Sequence, residues 1–293
     1  MMEYLKAIIL GIVQGATEFL PVSSSGHLSV FQHFMGISGN GSLTLTVFLH
    51  IGTLVAVIAV YYKTFWKLIK EIGKTIGEFF TRKLDTKHVS DDRHMLYMMF
   101  ISCIPLLFLF IPVGGGQNLK DLVEGLANDS DILVEGFCFL TTAILLLTGA
   151  RAARTKKNIR PVVEGKDAWW VGVAQLAAAA FPGISRSGST IATGMLRGVD
   201  KDYMVEYSFV LGTPAVLAAA VLEIKDTLEG GAMALSIGPV IVGIIVAAVV
   251  GVAAIKLLEW LVNKDKFQFF GYYCLILAAV VITVATLEKL GIL

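Results

Sequence analysis

Apolar residues along this chain gather in long blocks. Six blocks, roughly 42–62, 92–112, 132–152, 203–223, 236–257 and 268–289, are each long enough to cross a bilayer core of about 30 Å as a helix. Two further segments, roughly 2–36 and 167–198, are apolar but interrupted. Each interruption holds a proline beside a cluster of serine and glycine, around Pro21 and around Pro182. Proline stops a regular helix and serine is a preferred first cap of the next. Each interrupted segment therefore predicts a re-entrant pair of half-helices that enters and leaves on one side. Irregular backbone at membrane depth is tolerated only where protein or a water-filled cavity surrounds it.

The polar stretches between blocks predict the topology. Segment 63–91, expected to be a loop, carries Lys63, Lys67, Lys70, Lys74, Arg82, Lys83 and Lys87. Segment 153–166 carries Arg154, Lys156, Lys157, Arg160 and Lys166, and 258–267 adds Lys264 and Lys266. Segments 113–131 and 224–235 have one basic residue each, Lys120 and Lys225. Basic loops stay on the cytoplasmic side. Six spans alternate with this pattern without conflict. The first interrupted segment then enters from outside, the second from inside, and both termini are external.

The two interruptions also resemble each other. Q14-G-A-T-E-F-L-P-V-S-S-S-G26 aligns with Q175-L-A-A-A-A-F-P-G-I-S-R-S-G188, pairing Gln14 with Gln175 and Pro21 with Pro182. After one inserted glycine, Ser23, Ser25 and Gly26 meet Ser185, Ser187 and Gly188. Farther on, H50-I-G-T-L-V-A-V matches V210-L-G-T-P-A-V-L. Each half is one re-entrant unit plus three spans, an odd number, so the second half lies inverted. The expected fold is an all-α polytopic membrane protein, a single domain over 1–293, with repeat 1 at about 1–152 and repeat 2 at about 167–289. Inverted repeats place their site near the midplane, where the broken helices meet.

Composition agrees. Of 293 residues, 56% are hydrophobic and only 16% charged, against about 25% charged in soluble domains, and mean hydropathy is +0.74. The net charge of +1 gives no reason to expect a nucleic-acid partner. Cys103, Cys138 and Cys274 lie in apolar spans without a CxxC spacing and read as small hydrophobes. Glu3 and Lys6 flank the first apolar run, no small-x-small cleavage site follows it, and it is expected to be kept as structure.

The interruptions hold the candidate chemistry. Gln14 and Glu18 are four apart and share a helix face. A carboxylate at this depth needs a partner: a metal ion, a base or a proton. Ser23 and Ser24 stand where a half-helix starts, and His27 lies one turn after Ser24, a nucleophile and base candidate pair. In the second interruption Arg186 presents a planar cationic fork suited to phosphate oxygens. Ser185, Ser187, Ser189 and Thr190 surround it with hydroxyls. Two half-helix N-termini would add free N–H groups and positive dipole ends. Together these predict a phosphate-sized anion site. His50, within a span, is read as structural, and Glu206, near the start of a span, as an interfacial acid.

At these residues the chain resembles the undecaprenyl-diphosphate phosphatases of bacteria, also called bacitracin-resistance proteins. The first motif, E/Q-x-x-x-E-F-L-P-V-S-S-S/T-G-H, falls on Gln14 to His27. The second, P-G-x-S-R-S-G-x-T, falls on Pro182 to Thr190, and the likeness extends through Y207-S-F-V-L-G-T-P214. The resemblance implies an integral enzyme of the bacterial cytoplasmic (inner) membrane. Such an enzyme removes the terminal phosphate of the C55 lipid diphosphate, regenerating the lipid carrier of cell-wall synthesis, with a divalent cation (Mg2+ or Ca2+) assisting. It places the catalytic set on Glu18, Ser24, His27 and Arg186. Phosphate contacts are expected from Ser23, Ser25, Ser185, Arg186, Ser187 and Thr190, and metal ligation from Glu18 and Gln14. Gln14 departs from the glutamate of many members, which weakens a two-carboxylate metal site. The expected partners are the polyprenyl diphosphate and membrane lipids, and a homodimer is compatible with the sequence. The competing expectation is a transporter or flippase of a phosphorylated lipid, since opposed broken helices also suit carriers.

Overall fold

Helices carry the chain from end to end in the computed structural model, which describes residues 2–34, 40–82, 89–114, 117–119, 132–181, 183–229 and 237–292. They run α1 (Met2–Phe19), α2 (Ser24–Phe34), α3 (Asn40–Val60), α4 (Tyr62–Phe80), α5 (Asp91–Cys103), α6 (Leu133–Thr155), α7 (Gly165–Ala180), α8 (Arg186–Arg197), α9 (Lys201–Glu229), α10 (Ile237–Asn263) and α11 (Gln268–Lys289). Pro105 lacks the N–H that α5 would need to continue, and the helix tightens into a 3-10 segment, Ile104–Phe110. A short antiparallel ladder follows, pairing Pro112–Gly114 with Gln117–Asn118.

Each uninterrupted apolar block falls on helix. Among the described residues, four helical stretches are by themselves long and apolar enough to cross a membrane: Asp91–Phe110, Leu133–Thr155, Ile237–Asn263 and Gln268–Lys289. Phe48–Val60 and Tyr62–Phe80 form a pair bent by 85°, and counted together as one crossing they bring the number to five. The protein is thus a multi-pass helical membrane protein. Both interrupted segments are split as expected, α1 from α2 and α7 from α8; Pro182 itself lies outside the described residues. One expectation is corrected. Residues 63–80, read as part of the basic loop 63–91, belong to α4, bent 85° from α3. Phe65, Leu68, Ile69, Ile72 and Ile76 recur there at helical spacing between the lysines.

Small residues let the helices approach closely, as membrane interfaces favour. A β-carbon on Gly11 of α1 would stand 2.8 Å from the Gly243 carbonyl of α10, and one on Gly15 would stand 2.6 Å from the Ala247 carbonyl. On α7, a β-carbon at Gly172 would stand 2.5 Å from the Ser102 carbonyl of α5. Helix α6 packs along α11, and α8 is held between α6, α7 and α9.

A charged clasp closes the α7–α8 unit at its open end. Asp167 is fully buried and accepts from Arg160 and Arg197 at 3.0 Å each, while its second oxygen accepts the Glu164 N–H at 3.1 Å. Burial pushes this carboxyl up, but the Arg160 guanidinium, the Glu164 N–H and Arg197 together hold it below its ordinary value. Gly198, with φ +85°, ends α8 in the left-handed conformation that glycine adopts freely.

Candidate active site

The two breaks build matching helix starts. Ser23 takes φ +73°, uncommon without glycine, and its Oγ accepts the Gly26 N–H at 3.2 Å. Ser185 does the same for Gly188 at 3.1 Å. Each cap hydroxyl sits 3.4 Å from a serine two residues on, Ser25 in one case and Ser187 in the other. A cross-link joins the two starts, because the Gly183 N–H donates to Ser25 Oγ at 3.2 Å. Between them lies a polar chamber of about 110 Å³, lined by Thr17, Glu18, Ser23, Ser24, Ser25, Ser185, Arg186 and Ser187.

Glu18 is the hub of this chamber. Its Oε2 accepts from Ser24 Oγ at 2.7 Å and from Gln14 Nε2 at 3.0 Å. Its Oε1 accepts from Arg186 Nη2 at 3.2 Å. The Glu18 carboxylate is therefore paired with a guanidinium 168 residues away. His50, read from sequence as structural, places Nε2 3.7 Å from Glu18.

His27 is arranged differently from expectation. Its Nδ1 donates to the Ser23 carbonyl at 2.7 Å, as a ring nitrogen facing a carbonyl must. That leaves Nε2 as the acceptor for the Tyr273 hydroxyl, also at 2.7 Å. The Tyr273 ring lies nearly parallel to the imidazole, and Phe139 meets it edge-on. Both nitrogens are thus engaged, and Ser24 gives its proton-bearing hydrogen bond to Glu18. Thr190 also departs from expectation. It is buried, away from the chamber lining, donating to the Arg186 carbonyl at 2.9 Å and facing Ser208 Oγ at 2.6 Å.

Two further residues complete the site. A β-carbon on Gly212 of α9 would stand 1.5 Å from Arg186 Nη1, so glycine is what admits the guanidinium. The signal for it was the shared Gly-Thr pair, Gly52-Thr53 and Gly212-Thr213. Both threonines, with Phe19, Leu54, Val57, Phe209 and Val216, line an apolar crevice that meets the chamber at Glu18 and Arg186. Nothing in the sequence signalled Tyr273.

A divalent cation fits the donor set in a limited way. The Gln14 side-chain oxygen is buried without a hydrogen-bond donor, while its amide nitrogen donates to the Glu18 carboxylate. Hard cations take such oxygen ligands. No group of three or more His, Cys, Asp or Glu able to hold a metal occurs among the described residues, so a cation here would need oxygens from a bound phosphate as well.

Comparison with known proteins covers both breaks. Residues 7–280 match the family described as bacitracin resistance protein BacA. An undecaprenyl-diphosphatase of Alkaliphilus metalliredigens is 37% identical over 281 residues, covering 96% of this chain and 98% of that protein. One from Halothermothrix orenii is 37% identical over 284 residues, covering 97% and 99%. One from Bacteroides fragilis is 36% identical over 290 residues, covering 98% and 100%.

Proposed function

The chain belongs to the BacA bacitracin-resistance family, and on that premise we propose that it is an undecaprenyl-diphosphatase whose chemistry runs on Glu18, Ser24 and Arg186. The observation that carries the mechanism is the single carboxylate shared by a serine hydroxyl at 2.7 Å and an arginine at 3.2 Å. A hydroxyl nucleophile needs a base within hydrogen-bond reach, and Glu18 supplies it.

The substrate diphosphate enters the chamber between the two helix starts. Its oxygens draw Arg186 away from Glu18, which leaves the carboxylate free to take the Ser24 proton. Ser24 Oγ bonds to the terminal phosphorus as the bond to the bridging oxygen breaks, and the lipid monophosphate departs with that oxygen. Water then attacks the phosphoserine, Glu18 returns its proton to Ser24 Oγ as the Oγ–phosphorus bond breaks, and inorganic phosphate leaves with both protons of the attacking water. Phosphoryl transfer depends chiefly on positioning and charge neutralisation. Arg186, Ser23, Ser25, Ser185, Ser187 and the two helix starts provide both. A bound cation, held by Glu18 and Gln14 together with phosphate oxygens, would add further neutralisation. His27 borders the site and orders it through Tyr273.

The architecture we infer is six spans plus two re-entrant units in an inverted repeat. Three pairings support it. Gly11 and Gly172 occupy equivalent places, and each brings its helix close against a neighbouring span. Ser23 and Ser185 cap equivalently. Ser24 and Arg186 are then the same position in the two copies, so one helix start presents the nucleophile and the other the cation. The basic segments put the first unit's entrance, the chamber opening and both termini on the external side.

Transport of a phosphorylated lipid remains the second reading, because the inverted repeat also suits a carrier. The Ser24–Glu18 hydrogen bond favours hydrolysis, since a carrier needs no activated hydroxyl. Phosphate release from C55 diphosphate by purified protein in detergent separates the two. Hydrolysis without a two-sided membrane supports the phosphatase, and its absence with intact binding supports the carrier.

A further inference from the structure

Helix α4 is divided lengthwise into three faces. One carries Leu68, Glu71 and Glu78 and meets the protein: the buried Arg93 of α5 donates Nε to Glu71 at 2.6 Å and brings Nη2 2.9 Å from Glu78. The second carries Trp66, Ile69, Ile76 and Phe80, all exposed. The third carries Lys63, Lys67, Lys70 and Lys74, all exposed. At 3.6 residues per turn those four lysines fall within about 60° of arc.

The helix cannot swing freely. At its root the Tyr61 hydroxyl donates to Glu259 of α10 at 2.7 Å, and Thr64 donates to Glu206 of α9 at 2.5 Å. Farther along, the Arg93 pairs fix its rotation. With α3 standing across the bilayer, a helix bent 85° from it lies in the plane of the leaflet. Two lysine ammonium groups lie over aromatic rings, Lys70 Nζ on Trp66 at 5.1 Å and Lys63 Nζ on Tyr62 at 5.9 Å. Lys74 approaches Glu78 at 3.9 Å while remaining exposed. Aromatic rings at headgroup depth with lysines reaching outward are the usual marks of an interfacial helix.

We propose that α4 lies in the membrane interface and that its lysine stripe binds anionic phospholipid headgroups of the leaflet at which α3 ends. The apolar face enters the acyl boundary, Arg93 sets the roll angle, and the four ammonium groups meet phosphate. This rests on the membrane reading of the chain and is independent of the catalytic residues. A lysine close to an anionic surface shifts the preference about fivefold, less where salt screens it.

The test uses the full-length protein in detergent, incubated with equal amounts of phosphatidylglycerol and phosphatidylcholine, with bound lipid quantified by mass spectrometry. The wild type is expected to retain phosphatidylglycerol preferentially. Replacing Lys63, Lys67, Lys70 and Lys74 together by glutamine is expected to lower that preference about tenfold or more. Replacing all four by arginine should preserve it. Phosphate release in detergent should persist in both variants, which separates failure here from failure of the catalytic reading. Equal retention of the two lipids by the wild type, or an unchanged preference in the glutamine variant, would overturn the proposal.

Discussion

Arg186 lies against Gly212 so closely that a β-carbon there would stand 1.5 Å from the guanidinium nitrogen Nη1. The guanidinium thus reaches Glu18 only because α9 lacks a side chain at that turn. Gly212→Ala is expected to displace Arg186 and lower kcat/KM about 10²-fold, the scale on which a misplacement near 1 Å acts. Steady-state phosphate release measures it. Near-wild-type activity in Gly212→Ala would show that the guanidinium position is not critical.

Ser24 and Glu18 are expected to govern turnover more than binding. Ser24→Ala removes the attacking oxygen, and Glu18→Gln keeps the shape but removes the base, a loss of roughly 10²–10⁴-fold in kcat. Dissociation constants for a non-hydrolysable diphosphate lipid should change far less in Ser24→Ala. A variant of either kind that turned over normally would remove that residue from the chemistry.

Tyr273 holds His27 by one neutral hydrogen bond of 2.7 Å, worth about 1 kcal/mol. Tyr273→Phe should therefore lower activity about fivefold. The effect should vanish in a His27→Ala background, because residues acting through one another are not additive. A full Tyr273→Phe loss in that background would mean that the tyrosine acts elsewhere.

Gln14 tests the cation. Replacing its amide by a carboxylate raises the charge of the oxygen set, which tunes affinity for hard cations. Gln14→Glu is expected to lower the half-saturating Mg2+ or Ca2+ concentration about tenfold or more. It should also deepen the inhibition by chelator. Unchanged metal dependence would place the cation elsewhere.

Asp167 predicts a pH effect on stability. Its folded-state pKa is depressed, so its contribution is present above the ordinary carboxylate value, about 4, and is lost as pH falls through the lower folded value. Asp167→Asn should reduce stability at neutral pH by about 1–3 kcal/mol. This is less than a sealed ion pair would cost, because Arg160 and Arg197 still reach water. Thermal melts in detergent should show the wild type losing this advantage in acid, with the variant flatter.

Much of this arrangement was legible in the sequence because it depends on local rules. Proline followed by serine marked both breaks, and the caps at Ser23 and Ser185 formed as the pattern implied. The repeated Gln, Pro, Ser-x-Ser-Gly and Gly-Thr order pointed to two related halves. Contacts between distant elements were less legible. Nothing local states that Tyr273 meets His27, or that His50 of α3 faces Glu18. The placement of Ser24 followed from Glu18 reaching it across the break, where sequence spacing had favoured His27. Helix α4 was hidden for another reason: its lysines made the segment look like a loop, although its apolar residues kept a helical period.

The stereochemical course at the terminal phosphorus tests the central assignment most directly. A lipid diphosphate bearing a chiral, isotopically labelled terminal thiophosphate is hydrolysed, and the configuration of the released thiophosphate is determined. Two successive displacements, first by Ser24 and then by water, predict overall retention. Inversion would mean a single direct attack by water and would contradict Ser24 as the nucleophile.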